Sequence, residues 1–212
     1  AAEPAGLPRH TPEIDEGVIR LWVGDHISST SVMAFATTKG IVVVDTTGIP
    51  KIDTEMRRVI ARELDRSDFA YLINTHEHGD HTGGNAVYDD CTIVGHELIA
   101  PGLEAIAERR AFVLDWYARR LPELEEELES LPAGDPEIPV VTENIILTRL
   151  NLEVAEAGKV PPKPELTFSD RLTLDLGDTT FELSYVGGMH TASDTAIFVP
   201  EHGMLLTGDL MA

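Results

Sequence analysis

Cysteine is all but missing. Cys91 stands alone in 212 residues, so there is no internal disulfide framework and the redox compartment stays open. Lysine is nearly as scarce, at four positions (Lys39, Lys51, Lys159, Lys163). Positive charge is short altogether: 16 Lys and Arg face 37 Asp and Glu, a net charge of -21. Such a surface repels phosphate backbones, so no nucleic-acid partner is expected. It fits adaptation to high salt, where screening relieves self-repulsion, and equally a soluble acidic protein from a GC-rich genome. No run approaches the ~20 apolar residues of a membrane span, so no membrane partner is expected either. No intact signal peptide is present. The chain starts "AAEPAGLPRH" without methionine, which fits a processed exported protein, and an exported or periplasmic location is set slightly ahead of a cytoplasmic one.

Apolar residues make up 42% of the chain, enough for a core of ordinary size. "VIRLWV" (18–23) and "SVMAFATT" (31–38) read as strands joined by the polar turn "GDHISST". "GIVVVD" (40–45) is a continuous β-branched run, the mark of a strand buried on both faces. In the next segment Ile52, Met56, Val59, Ile60 and Leu64 recur at helical spacing. "AYLINT" (70–75) and "CTIVG" (91–95) are further buried strands. Strand, helix, strand, loop, strand is the arrangement of a mainly parallel sheet, whose sites form at the carboxyl ends of strands. From about residue 166 the period changes to two. "LTLDLGDTTFELSYV" and "TAIFVPEHGMLLTGD" predict hairpins turning at Gly177-Asp178 and Pro200–Gly203. Two sheets, each able to carry helices, predict an α/β sandwich.

Residues 99–131 predict two helices split at Pro122, the second striped by Leu121, Leu124, Leu128 and Leu131. They are either a packed surface subdomain or a lid, with Trp116 and Tyr117 as candidate substrate contacts. "AGDPEIPVV" and "GKVPPKPE" then read as proline-rich connectors within 132–165. The expected organisation is an N-terminal extension (1–17) and one domain (18–212) carrying the 99–131 insertion.

"THEHGDHTGGN" (75–85) holds three of the eight histidines within six residues. His76, His78 and Asp80 share one side of an extended segment, while Glu77 points away. Gly79 lets the backbone turn, and His81 swings beside Asp80. Imidazole and carboxylate converging this closely suit zinc or another first-row metal. Further ligands lie at strand ends: His190 in "GGMHTASD" and Asp209 in "LLTGDL". His96 reads as structural and His202 as an exposed hairpin tip.

H-x-H-x-D-H, a lone histidine after a glycine turn, then Gly-Asp after a strand: in this order the sequence resembles the metallo-β-lactamase superfamily, from about residue 18 to the last. The resemblance implies a four-layer αββα sandwich, and zinc as the cofactor, two ions in the complete protein, with iron or manganese as alternatives. It places His76, His78 and His190 on the first metal, Asp80 and His81 on the second, and Asp209 between them. Asp45, in "GIVVVDTTG", would orient the metal loop from behind. It puts His26 near the metal mouth as a further candidate substrate contact. A carboxylate at 209 resembles the broad hydrolase branch of glyoxalase II and the lactonases, whereas zinc β-lactamases usually carry Cys or Ser there.

The implied activity is metal-dependent hydrolysis of an ester, thioester, lactone or amide in a small molecule. A hydroxide shared by the two metals would attack, and Asp80 would steer a proton. Alternatives are an iron-dependent oxygen or sulfur redox enzyme, a β-lactam hydrolase, and a non-enzymatic scaffold. The superfamily pattern continues to one more histidine, and here the chain stops at "GDLMA". The C-terminal part is therefore expected to be missing, with a longer chain, a second copy or a partner chain supplying it.

Overall fold

The computed structural model describes residues 9–10, 14–23 and 30–211. Among them one sheet contains β1 (Arg9–His10), β2 (Val18–Trp22), β3 (Ser31–Thr37), β4 (Gly40–Val44), β5 (Phe69–Ile73), β6 (Thr92–His96) and β7 (Leu166–Phe168), neighbours in that order. Pairing is antiparallel from β1 to β4 and parallel from β4 to β7. The parallel part is where α1 (Pro50–Glu63) crosses between β4 and β5. β4 is buried at every position, as its unbroken β-branched run predicts. β1 belongs to the stretch expected to be an extension: Arg9 pairs with Trp22 and His10 with Leu21.

The second sheet is antiparallel throughout, in the order β11-β10-β9-β8, with β8 (Arg171–Asp175), β9 (Thr180–Tyr185), β10 (Thr195–Val199) and β11 (Met204–Leu206). Its alternation puts Phe181, Leu183, Ile197 and Val199 inward against Phe35, Val42, Val44, Ile73 and Val94 of the first sheet. Phe35 and Phe181 meet edge to face, centroids 5.2 Å apart. A second core lies on the other face of the first sheet. There Ile52, Met56 and Ile60 of α1 pack with Val43, Leu72 and Ile93. These are the helix, sheet and sheet layers of the expected sandwich. On the outer face of the second sheet, Phe198 (41% exposed) and Leu205 (60%) face outward.

Three short or inserted helices complete the order before β7: α2 (Gly79–Thr82), α3 (Ile99–Glu108) and α4 (Arg110–Ser130), and a fourth, α5 (Ile138–Ala157), follows them. Two expectations are corrected here. The insertion breaks at Arg109, and α4 runs on through Pro122. The ring of Pro122 removes the N–H that would serve the Ala118 carbonyl, and Ala118 is exposed, so that carbonyl is not shut away from solvent in the core. Residues 132–165 are no mere connector, since they contain the 20-residue α5. Pro139 stands in its first turn, where no N–H is needed, and Gly158 closes it in the left-handed conformation. Prolines that read as linkers flank a helix. The leucine stripe of α4 does pack as expected, with Leu124 buried against Val141 and Ile145 of α5. Among the described residues no helix is long and apolar enough to cross a membrane.

Candidate metal centre

Parallel pairing brings the carboxyl ends of β4 and β5 to one edge of the sheet. β4 is followed directly by Asp45, and β5 by Asn74, Thr75 and His76. Asp45 has φ +62, a region that side chains seldom occupy and that costs of order 1–3 kcal/mol. What holds it there is a set of bonds to the histidine loop. The Thr75 N–H donates to Asp45 Oδ1 at 2.8 Å, and the Thr75 hydroxyl donates to Oδ2 at 2.8 Å. His81 Nδ1 donates to Oδ2 at 2.9 Å. Since the Thr75 hydroxyl proton is already given to Asp45, its oxygen accepts from His76 Nδ1 at 3.0 Å. Both buried histidines thus spend Nδ1 on fixed partners and turn Nε2 into the site. The carbonyl of His81 is held as well, accepting from Thr46 N and Asn74 Nδ2 at 3.1 Å each.

His76, His78 and His190 bring nitrogen atoms within 4.8 Å of one another, and so do the ligand atoms of His76, His81 and Asp209. Asp209 lies between the groups, Oδ1 3.3 Å from His81 Nε2 and Oδ2 3.7 Å from His190 Nε2. It arrives through Gly208, at φ +51 and packed so close to Thr75 that a Cβ would sit 2.9 Å from the Thr75 Cβ. The His190 loop is shaped by the buried Asp194, which accepts from the N–H groups of Met189, His190 and Thr191 at 3.0, 2.6 and 2.9 Å.

Two observations say that these residues fit a metal ion. Among the described residues the Nε2 atoms of His76 and His81 are buried without a hydrogen bond, the Asp209 carboxylate standing 3.3 Å from His81 Nε2, which is costly for a polar atom unless something else occupies its lone pair. The electrostatics agree. Burial, then the nearby His81, pushes His76 down to about 4, so it is a neutral imidazole with a free Nε2. Burial opposes charge on His81 too, but Asp45 and Asp209 outweigh it and lift His81 to about 10. His81 in turn helps hold Asp209 at about 2. The pocket therefore already stabilises a positive charge beside Nε2, where a metal ion would replace the proton.

A family model described as the metallo-beta-lactamase superfamily matches residues 23–212. This chain belongs to the metallo-beta-lactamase superfamily. It is 26% identical over 194 residues to the 2,4-dinitroanisole O-demethylase subunit alpha of a Nocardioides species, covering 90% of this chain and 43% of that protein. The chain thus spans less than half the length of that curated relative. Among solved structures it is similar to a metallo-beta-lactamase from Pontibacter korlensis (TM-score 0.61, 19% identity, 97% of this chain and 74% of that one). It is similar also to a metallo-beta-lactamase family protein from Thermus thermophilus (TM-score 0.58, 18% identity, 91% and 59%). At these identities the structures share the fold.

Within this superfamily frame most expected ligands come together, and one stands apart. Asp80 joins neither group: its Oδ2 lies 3.8 Å from His81 Nε2, its side chain is 59% exposed, and Thr30 donates to it at 3.4 Å. His76 belongs to both groups, where the sequence expectation gave it one. Trp116 is 47% exposed on α4, its ring 4.8 Å from that of Tyr117. Burial and then the charge of Asp80 raise the Tyr117 hydroxyl. His26 lies outside the described residues. His96 is structural, Nε2 donating to Ser169 O at 3.1 Å and the ring stacked on Tyr185. His202 is corrected: far from being an exposed tip, it pairs with Asp15 at 2.6 Å and rests beside Phe35. Sequence reasoning missed Thr75, Glu77, Ser193 and Asp194. Only "HTASD", with an acid four residues after a candidate ligand, carried a signal for one of them.

Proposed function

We propose that this chain is the metal-binding part of a hydrolase that takes two zinc ions and cleaves an ester, thioester, lactone or amide in a small molecule. The observation that carries the reading is the pair of buried Nε2 atoms on His76 and His81, without a hydrogen bond among the described residues, where ligand atoms of His76, His81 and Asp209 gather within 4.8 Å of one another. His76, His78 and His190 would hold one ion; His81 and Asp209, with Asp80 swung inward, would hold the other. When bound, such ions polarise the scissile carbonyl and lower the pKa of a water to about 7.

The chain's own residues do the rest. Asp45 fixes the tautomer and direction of His81, and the Thr75 hydroxyl does the same for His76. Asp80, 3.8 Å from His81 at the mouth, would orient the attacking water and steer its proton toward the leaving group. Trp116 and Tyr117 would contact the apolar part of the substrate. Zinc takes four ligands in most protein sites, so the second ion would draw a further one from water, substrate, another segment or a partner chain.

The relative's name supports a second reading, cleavage of an activated aryl methyl ether at the same centre. One panel separates the readings. Zinc-loaded protein is assayed on an ester, a thioester, a lactone, an amide and a nitroaryl methyl ether, before and after chelation. The first reading expects turnover among the first four, abolished by chelation and restored by zinc. Turnover of the ether alone would favour the second, and iron bound stoichiometrically from the native host would overturn zinc.

A further inference from the structure

Glu77 stands between two metal-binding histidines and belongs to neither group. His76 and His78 face the centre, so alternation turns Glu77 into the interior, where it is buried. A carboxylate there needs donors, and they come from the other half of the chain. The Ala192 N–H donates to Oε1 at 3.2 Å, and the Ser193 hydroxyl donates to Oε2. Both donors, Ala192 and Ser193, lie within three residues of His190.

The space for this side chain comes from a third element. Gly102 stands inside α3, where alanine would make a better helix. A Cβ at 102 would lie 2.7 Å from the Glu77 Cβ, closer than non-bonded carbons approach. The metal loop, the His190 loop and α3 therefore meet at one carboxylate. Other ties hold the His190 loop differently. Asp194 shapes it from within, and the Thr195 N–H bonds the Thr75 carbonyl at its base. Glu77 reaches it next to the histidine.

We propose that Glu77 is a positioning residue that sets His190 against His76 and His78, and that Gly102 is the space that admits it. The inference rests on the reading that these three histidines hold a metal ion. The test uses the full chain with zinc alone as the probe, its affinity read by competition with a coloured chelator. Glu77→Ala should weaken the tighter zinc site by about 10–100-fold, the usual loss when a partner behind a ligand is removed. Glu77→Gln should stay within about threefold of the parent, since a carboxamide can accept from Ala192 and donate to Ser193. Gly102→Ala should lose about as much as Glu77→Ala, and the double variant no more than Glu77→Ala alone. A parent that binds no zinc would overturn both the metal reading and this inference. A parent that binds zinc while Glu77→Ala binds it equally tightly, with only a lower melting temperature of the metal-free protein, would overturn this inference alone. Should Glu77→Ala fail to fold, zinc binding by Gly102→Ala at parental strength overturns it instead.

Discussion

Two loops supply the centre's histidines, and they are built differently. The 74–81 loop leaves a central strand of a sheet covered on both faces, and its histidines 76 and 81 are fixed by neighbours within that half of the chain: Asp45, Thr46, Thr75 and Asn74. His76 and His81 are buried in it. The 187–194 loop leaves β9 in the smaller sheet. Its histidine is exposed, and its shape depends on the internal Asp194 and on Glu77 reaching across. One half is preformed by the core; the other is brought to it. A metal held by both would tie the two sheets together, and its binding would then be coupled to folding.

The largest expected effect comes from removing a buried ligand. His76→Ala should weaken zinc binding at the position it shares with His78 and His190 by at least about 100-fold, beyond the range typical of residues that only support a ligand. A chelator-competition titration checks it. Loss confined to the other position would reverse the assignment of His76. Next comes the support of the first loop. Asp45→Asn keeps a residue type that tolerates positive φ and removes the charge beside His81. Zinc affinity should fall about 10–100-fold. Little change in the same titration would mean that the loop is fixed by Thr46 and Asn74 alone.

How legible each loop was in the sequence follows from the same contrast. H-x-H-x-D-H at the end of a buried strand is local, so three of its histidines and Asp45 could be placed from spacing and resemblance. The antiparallel second sheet was equally readable, because alternation over "FELSYV" and "TAIFV" has one physical cause. His190 and Asp209 were candidates by their places at strand ends, but their roles needed the resemblance, since nothing local in "GGMH" or "TGDL" requires a metal. Glu77 was invisible: its partners are more than a hundred residues away, and its cradle is a glycine in a helix. α5 was lost because Pro139 was read as a linker rather than as a helix start. Asp80 was placed with the ligands by its spacing, and in the structure it is turned outward.

The third effect lies beneath the first loop. Asp53 is fully buried in α1 and accepts from the Thr47 N–H and hydroxyl at 2.7 and 2.9 Å. Burial, which those bonds only partly offset, raises it to about 7. Its folded pKa is thus above the free value, so its contribution is whole below about pH 4 and is lost as pH rises through 7. Between pH 5 and pH 8 the parent should lose about 2 kcal/mol from this group. Asp53→Asn should flatten that part of the curve in denaturant titrations of the metal-free protein. An unchanged slope would place the titrating group elsewhere. The smallest effect belongs to the rim. Trp116→Ala should shift relative kcat/KM between two substrates by less than about tenfold, with stability within about 0.5 kcal/mol because the ring is half exposed. A drop in melting temperature without a change in preference would make α4 packing rather than a substrate wall.

The claim that two loops of unlike build close on metal is tested most directly by diffraction. Crystals of the zinc-loaded chain, measured on both sides of the zinc absorption edge, should show two anomalous peaks. One should lie among His76, His78 and His190, and one beside His81 and Asp209. No peak at either place, with zinc bound elsewhere or not at all, would contradict the account.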